Sequence, residues 1–246
     1  MDFVGRQQEI TRIRKDLEQG THVIVCGKYG IGRTSLLKHL AMLTQEHWRF
    51  LFLDFSQTNA HVCQDLFAQL FPKLKDKRRG QYLPYKVARF QIVHLEVDDP
   101  RLHVLVLDNI TKLSAQKLRL VRYLAWEKRF RLVAIPESFL PADQFRRLRV
   151  QLSPASVITL DHLSVSSARK FFSSCSEQYG LGWTAAQINS KALTTGGYPL
   201  AMREAVAKEL KRLRNPVLAP ASSPGPEPQR TGSGEEGPHV QEQHEA

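Results

Sequence analysis

The sequence is poor in cysteine and contains neither a long apolar run nor an internal repeat. Its three cysteines, Cys26, Cys63 and Cys175, are far apart and show no metal-ligand spacing. They indicate reduced thiols in a cytoplasmic protein, not a disulfide framework or a zinc site. Because no stretch approaches the roughly 18 apolar residues of a membrane helix, no membrane span is predicted. The polar amino terminus, MDFVGRQQEI, does not resemble a signal peptide.

Large apolar residues are almost absent from residues 215–246, which are rich in Pro, Gly, Ser and Glu. Such a segment cannot bury enough surface to offset the entropy of ordering, so we predict a disordered acidic tail. Of the 35 basic and 24 acidic residues, one basic and five acidic residues lie from Pro216 onward. The folded part, residues 1–214, is therefore strongly basic. This suits an anionic partner, although a solvated basic surface is the alternative.

Short apolar runs alternate with helical patterns through the first 161 residues. Continuous apolar strands separated by helices are typical of a parallel sheet that is covered on both faces. With right-handed crossovers, the pattern predicts a doubly wound α/β domain over residues 1–161. The pattern after Asp161 is helical, which predicts a small helical lid over residues 162–214. The five predicted strands span residues 22–27, 50–55, 102–109, 130–135 and 156–161.

The segment GKYGIGRTS, residues 27–35, follows the first predicted strand and opens a helix. It fits the phosphate-loop pattern G-x-x-x-x-G-K-[ST], except that Arg33 stands at the lysine position. Glycines let backbone N–H groups curl around phosphates, and the helix N-terminus adds positive potential. The hydroxyl of Thr34 is placed to bind Mg²⁺. The candidate phosphate-binding residues are Gly27, Lys28, Gly30, Ile31, Gly32, Arg33, Thr34 and Ser35.

The third predicted strand, in VLVLDN, ends in the acidic residue Asp108. An acidic residue that closes an apolar strand beside a phosphate loop is where Mg²⁺ is held in P-loop NTPases. The alternative is a strand-end aspartate that caps the next helix. Together, the loop and the aspartate predict a Mg²⁺ site formed by Thr34 and Asp108.

Five short motifs follow one another along the chain: FVGRQQEI (3–10), GIGRTSL (30–36), VLVLD (104–108), LDHLSVSSARKFF (160–172) and GGYPLAM (196–202). The set resembles the nucleotide-binding core of STAND and AAA+-type P-loop ATPases, including NB-ARC-like and origin-recognition-like members. The resemblance implies ATP and Mg²⁺ as ligands.

The same resemblance implies that the FVGR segment, from Phe3 through Val4 and Gly5 to Arg6, lies against the adenine, with Val4 as a backbone contact and Pro199 of the lid near the same base. From the residues alone, GGYP is a helix stop and a turn. From the residues alone, VGR could also be simply the segment that precedes a helix.

Two residues depart from the family pattern. Arg33 keeps the positive charge of the lysine, but its guanidinium is a bulky planar fork where lysine is a compact point charge. Asn109 stands where AAA+ ATPases usually carry Glu and STAND members often carry Asp. An amide cannot accept the proton of an attacking water, although it could orient one. With Arg33, Asp108 and Asn109 at the catalytic positions, we expect nucleotide binding with slow hydrolysis.

Lys28 admits another interpretation. In the deviant phosphate loops of the ParA/MinD-like group, a lysine occupies this second position, in the pattern GKGGxGK[T]. Lys28 could then supply charge to the phosphates, in cis or across a dimer. The alternative is a solvated lysine at a variable loop position, which the FVGR and GGYP motifs favour because they belong to the other group.

Further basic clusters are candidate partner contacts, and AIPES offers Glu137 and Ser138 as sensor residues after the fourth strand. The segment QFRRLRV lies where AAA+ proteins carry an arginine finger. It suggests self-assembly through Arg146, Arg147 or Arg149, or simply a basic helix face. Residues 73–86 are expected to form a surface loop in which cations flank tyrosines, a combination that suits DNA. The DNA candidates in this segment are Lys73, Lys75, Lys77, Arg78 and Arg79.

Three functions are compatible with these patterns. The first is a slow Mg²⁺-dependent ATPase that acts as a nucleotide-controlled switch, in which ATP closes the lid. The second is an ATP-dependent DNA-binding regulator of the kind that serves transposition or replication. The third is a non-catalytic nucleotide-binding scaffold.

Overall fold

A computed structural model of the chain describes residues 3–77 and 83–214. Its centre is a five-stranded sheet in the order β2-β3-β4-β1-β5, in which all paired strands are parallel. The strands confirm the predicted doubly wound α/β fold. They are β1 (His22–Gly27), β2 (Trp48–Asp54), β3 (Leu102–Ile110), β4 (Phe130–Pro136) and β5 (Ala155–Leu160).

Ten helices connect and cover these strands in the described part of the chain, with a helix between each strand and the next. They are α1 (Gln7–Glu18), α2 (Arg33–Leu43), α3 (Asn59–Leu70), α4 (Pro72–Lys77), α5 (Tyr85–His94), α6 (Ala115–Trp126), α7 (Ala142–Gln151), α8 (Val165–Tyr179), α9 (Ala185–Thr194) and α10 (Pro199–Arg214).

The expectation of a surface loop over residues 73–86 was wrong for most of its described residues. Pro72 ends the preceding helix, as expected, but it also begins the short helix α4, and α5 starts at Tyr85. Proline is tolerated at the first helical position because its missing N–H would have no intrahelical partner there. Residues 78–82, which include the DNA candidates Arg78 and Arg79, lie outside the described residues.

The two faces of the sheet carry separate apolar cores, because successive side chains of a strand point to opposite faces. In β3, Leu105 and Leu107 pack with α3, α5 and α6, whereas Val104 and Val106 pack with α1 and α2. A third, smaller core lies among α8, α9 and α10 around the fully buried Phe172. None of the helices in the described residues is long and apolar enough to cross a membrane.

Candidate functional site

The segment after β1 forms a turn that ends at the first residue of α2, as the phosphate-loop pattern predicts. Gly32 precedes this helix with φ 94°, a left-handed conformation that glycine adopts without steric cost. No side chain caps the first turn of α2, so its N–H groups are available to an anion. Such a helix N-terminus attracts phosphate through its N–H groups and its dipole.

Thr34 and Asp108 come together at the carboxyl edge of the sheet. The Thr34 hydroxyl donates to Oδ2 of Asp108 at 2.9 Å, and the backbone N–H of Asn109 donates to the other carboxylate oxygen at 2.9 Å. Among the described residues, no group of three or more His, Cys, Asp or Glu side chains could hold a metal ion alone. This fits Mg²⁺, which proteins usually hold with one or two side chains together with substrate phosphates.

Arg33 is buried against the end of β4. It is 6% exposed, and its guanidinium donates to Oε2 of Glu137 at 2.7 Å and to the carbonyl oxygen of Pro136. Glu137 directly follows β4, the strand that separates β1 from β3. The sequence placed Glu137 among sensor candidates but gave no sign of this buried ion pair, since the two residues are 104 positions apart.

Asn109 turns its amide towards a carboxylate on the neighbouring strand. Its backbone has φ 57°, a conformation in which Asn is among the tolerated residues, and its Nδ2 donates to Oδ1 of Asp54 at 3.3 Å. The hydroxyl of Ser56, followed by its backbone N–H and the amides of Gln57 and Asn109, lowers the pKa of Asp54. Sequence reasoning missed Asp54, although its place at the end of β2, in register with Asp108, was a usable signal.

A cavity of about 630 Å³ lies between the amino-terminal segment, α2 and the helical lid. The cavity adjoins the predicted phosphate loop, because Gly32 is one of the residues that line it. The predicted residues Phe3, Val4, Arg6, Ile31, Gly32, Ser35 and Pro199 line this cavity together with Lys38, His39, Met42, Leu163, Phe171, Met202 and Arg203, which the sequence did not single out.

Aromatic and basic side chains define the cavity walls. Phe3 stacks on His39 with 4.3 Å between the ring centroids, and this pair could bear against a flat base. Lys38 and Arg203 are exposed and have no hydrogen-bond or ion-pair partner among the described residues. These two free cations on α2 and α10 make the cavity attractive to an anion.

The remaining predicted residues of the amino-terminal segment and the loop differ in their contacts. Arg6 is ion-paired with Glu9 at 2.8 Å and donates to the carbonyl oxygen of Asp161. A Cβ on Gly5 would lie 3.1 Å from Oγ of Ser167, so Gly5 permits a close approach to the lid. Lys28 is exposed, and within the described part of the chain its side chain has no polar partner.

The start of α10 and the residue before it, in the predicted lid, contact the loop between β1 and α2, the predicted phosphate loop. The Tyr198 hydroxyl donates to the carbonyl oxygen of Tyr29, and a Cβ added to Gly30 would meet Cβ of Leu200 at 2.7 Å. Tyr198 also stacks on His162 with 5.3 Å between the ring centroids. Only a glycine at position 30 therefore lets α10 approach the loop this closely.

The candidate partner residues are dispersed. Arg146, Arg147 and Arg149 are exposed on α7, where Arg147 lies 4.0 Å from Asp143. Lys73 is exposed, and its ammonium lies 3.8 Å from Asp98. The side chains of Lys75 and Lys77 are not among those described.

A family model described as an AAA domain matches residues 15–139, just over half of the 246-residue chain. The chain belongs to the AAA domain family. The matched segment begins in α1 and ends just after Glu137, so it includes the phosphate loop, Asp108 and the end of β4. No curated protein matches the chain in sequence.

Solved structures show the same fold as this family member. The ORC1 protein of Aeropyrum pernix, solved with DNA, is 12% identical with a TM-score of 0.61, and the match covers 87% of this chain and 62% of that one. The Walker-type ATPase PABY2304 of Pyrococcus abyssi is 13% identical with a TM-score of 0.60, over 87% and 69%. RuvB of Thermotoga maritima is 17% identical with a TM-score of 0.56, over 87% and 63%.

The TM-scores show that this chain shares the P-loop NTPase fold of these proteins. At such low identities the likeness concerns the fold alone. The chain spans about three fifths of the ORC1 and RuvB chains that it matches.

Proposed function

We propose that the chain binds Mg²⁺·ATP, hydrolyses it slowly and acts as a nucleotide-controlled switch. The proposal rests on one observation, namely that three features adjoin one another at the start of α2. They are the uncapped N-terminus of α2, the Thr34–Asp108 pair and the cavity beside α10. A nucleotide would lie with its phosphates on the loop and its base between the amino-terminal segment and Pro199.

The residues present fit a bound Mg²⁺, which would neutralise charge that develops on the phosphates during hydrolysis. Thr34 and Asp108 would hold it. Because their oxygens are 2.9 Å apart at one edge of the sheet, they present a hydroxyl and a carboxylate to the same point.

Slow hydrolysis follows from two side chains. Asn109 carries an amide where a general base is needed, and Arg33 is held by Glu137 and Pro136. Water attack on the γ-phosphate therefore lacks both a proton acceptor at position 109 and a free cation at position 33. We regard the loop as a degenerate Walker A motif of the STAND type, which binds better than it turns over.

The switch would operate through the lid. Tyr198 contacts the loop at Tyr29, and Arg203 lines the cavity from α10. A nucleotide that fills the cavity would contact residues 1–161, the proposed nucleotide-binding domain, and residues 162–214, the proposed lid, at the same time. It would favour the closed arrangement by its differential contacts.

The test is calorimetric titration with ATP, with and without Mg²⁺, combined with measurement of phosphate release. We expect binding in the micromolar range that strengthens with Mg²⁺, and a turnover well below the ~10 s⁻¹ typical of enzymes. Absence of nucleotide binding would leave only a scaffold that retains the fold. A turnover at the typical rate would contradict the slow-switch proposal.

A second candidate function is an ATP-dependent DNA-binding regulator. A cleft of about 650 Å³ at the amino edge of the sheet, opposite the phosphate loop, is lined by Arg122, Trp126, Lys128 and Arg131 among others. Trp126 is 70% exposed, and the guanidinium carbon of Arg122 lies 5.0 Å from its ring centroid. Cations beside an exposed aromatic ring suit the backbone and bases of a single strand.

A further inference from the structure

Glu137 lies between the phosphate loop and the strand of Asp108. It follows β4, which separates β1 from β3, and its backbone N–H donates to the carbonyl oxygen of Ile110 at 3.0 Å. This bond holds Glu137 at the carboxyl edge of the sheet. Its side chain is 12% exposed and faces Arg33, whose side chain is more deeply buried. A carboxylate therefore stands at the same edge of the sheet as Asp108 and the start of α2, paired with Arg33.

The charge of Arg33 is already compensated in this arrangement. One of its terminal nitrogens serves Glu137 and the other serves the carbonyl oxygen of Pro136. A guanidinium keeps N–H donors to spare, but the pair as a unit has no net charge. The positive charge of Arg33 would by itself attract a terminal phosphate. The carboxylate of Glu137 cancels this attraction, because a negative charge repels the phosphate.

The repulsion acts on one phosphate more than on the others. The phosphates shared by ADP and ATP would rest on the backbone N–H groups at the start of α2, a contact that does not involve Glu137. The γ-phosphate alone would extend towards the edge formed by β3 and β4. Binding of the diphosphate is therefore independent of the ion pair, whereas binding of the triphosphate is not.

We propose that Glu137 sets the choice between nucleoside tri- and diphosphate at this site and shifts it towards the diphosphate. The inference rests on the proposed nucleotide site and adds a specificity-determining residue to it. Glu137 acts as a repulsive element against the triphosphate, and discrimination between ligands often depends on such an element.

The experiment compares dissociation constants for ADP and for the non-hydrolysable β,γ-imido-ATP, both with Mg²⁺, by calorimetry. The wild-type chain should bind ADP at least as tightly as the triphosphate analogue. Glu137→Gln keeps the shape and an acceptor for Arg33 but removes the negative charge. It should tighten binding of the analogue about tenfold, equivalent to about 1.4 kcal/mol, and change ADP binding less than about twofold. The matched control, Glu127→Gln at the opposite edge of the sheet, should leave both constants unchanged.

A second variant guards against a folding effect. Arg33→Met leaves the Glu137 carboxylate uncompensated and should weaken the triphosphate analogue more than ADP. The double variant with Glu137→Gln should restore the wild-type ratio, because the two residues act as one unit.

Two failures are distinguishable. If the wild-type chain binds neither nucleotide, the result contradicts both the proposed function and this inference. If it binds both, but prefers the triphosphate tenfold or keeps its ratio in Glu137→Gln, only the inference is overturned.

Discussion

The hydroxyl of Thr34 and the carboxylate of Asp108 are joined by a 2.9 Å hydrogen bond across 74 residues of sequence. The contact exists because β1 and β3 are parallel strands of one sheet, whose carboxyl ends face the same side. Thr34 lies in the first turn of α2, the helix that follows β1, and Asp108 lies near the end of β3. This places a hydroxyl and a carboxylate beside the helix N-terminus where phosphates are expected.

Removal of the Thr34 hydroxyl should reduce the Mg²⁺ dependence of nucleotide binding. We expect Thr34→Ala to weaken Mg²⁺·ATP binding by about 1.5–3 kcal/mol, the cost of a lost contact to a charged group, and to change Mg²⁺-free binding little. Calorimetry with and without Mg²⁺ measures both. Thr21→Ala, at the opposite edge of the sheet, is the control. An equal loss in both conditions would show that Thr34 has no part in metal binding.

Contact between the lid and the phosphate loop should control nucleotide release. Gly30→Ala places a methyl group 2.7 Å from Cβ of Leu200, so the lid must move away, and we expect faster dissociation of a fluorescent nucleotide. Tyr198→Phe removes one hydrogen bond of about 1 kcal/mol and should have a smaller effect in the same direction. Tyr179→Phe, on α8, should match the wild type. Unchanged dissociation in Gly30→Ala would argue against a lid that closes over the site.

A carboxylate at position 109 should accelerate hydrolysis. Asn109→Asp restores a proton acceptor, and aspartate tolerates the left-handed backbone found there. General-base catalysis typically contributes about 10²–10⁴-fold, but Asp54 is nearby and like charges repel, so we expect about a tenfold gain. Phosphate release at saturating Mg²⁺·ATP measures it, with Asn59→Asp on α3 as the control. No gain would indicate that the missing base is not what limits turnover.

Acid should destabilise the fold through His22, which lies at the start of β1. Burial, followed by the charge of Arg131, lowers the pKa of His22 from 6.5 to about 4, although a bond to the backbone of Ala125 works in the other direction. Its Nδ1 accepts from the backbone N–H of Leu132 at 3.1 Å.

The sign of the pH effect follows from this lowered pKa. The unfolded chain takes up a proton near pH 6.5 that the folded chain accepts only near pH 4, so His22 lowers stability as the pH falls through this range. The full loss is on the order of 3 kcal/mol. Urea denaturation at pH 7 and pH 4.5 should show a smaller difference for His22→Asn than for wild type, and the exposed His61→Asn serves as control. Equal pH dependence in His22→Asn would contradict the assignment.

DNA binding, if it occurs at the amino edge of the sheet, should depend on Trp126. We expect Trp126→Ala to weaken binding of a single-stranded oligonucleotide about tenfold, in line with the ~1–3 kcal/mol of a stacked base. Lys128→Glu should also reduce the dependence of affinity on salt. Fluorescence anisotropy across a salt series measures both, and Phe90→Ala, an exposed aromatic on α5, is the control. Salt-insensitive binding, or none, would remove this candidate function.

The amino-acid sequence by itself determined the order of strands and helices and the position of the phosphate loop. The spacing of apolar residues indicates whether one or both faces of a helix or strand are buried. This spacing is a local property of the sequence, so it can be found without the structure. The same reading located Thr34 and Asp108, because Thr34 lies in the phosphate-loop pattern after one apolar strand and Asp108 lies near the end of another. It failed at Pro72, where a helix stop also begins a new helix.

Only the tertiary structure decided how the side chains of the site are paired. Arg33 is held by Glu137, and Asn109 turns to Asp54, through contacts between strands that are distant in sequence. The cavity walls at His39, Phe171 and Arg203 likewise come from separate helices. A single sequence specifies which residues each element contains, but side chains from different elements meet only when the sheet order and the lid bring them together.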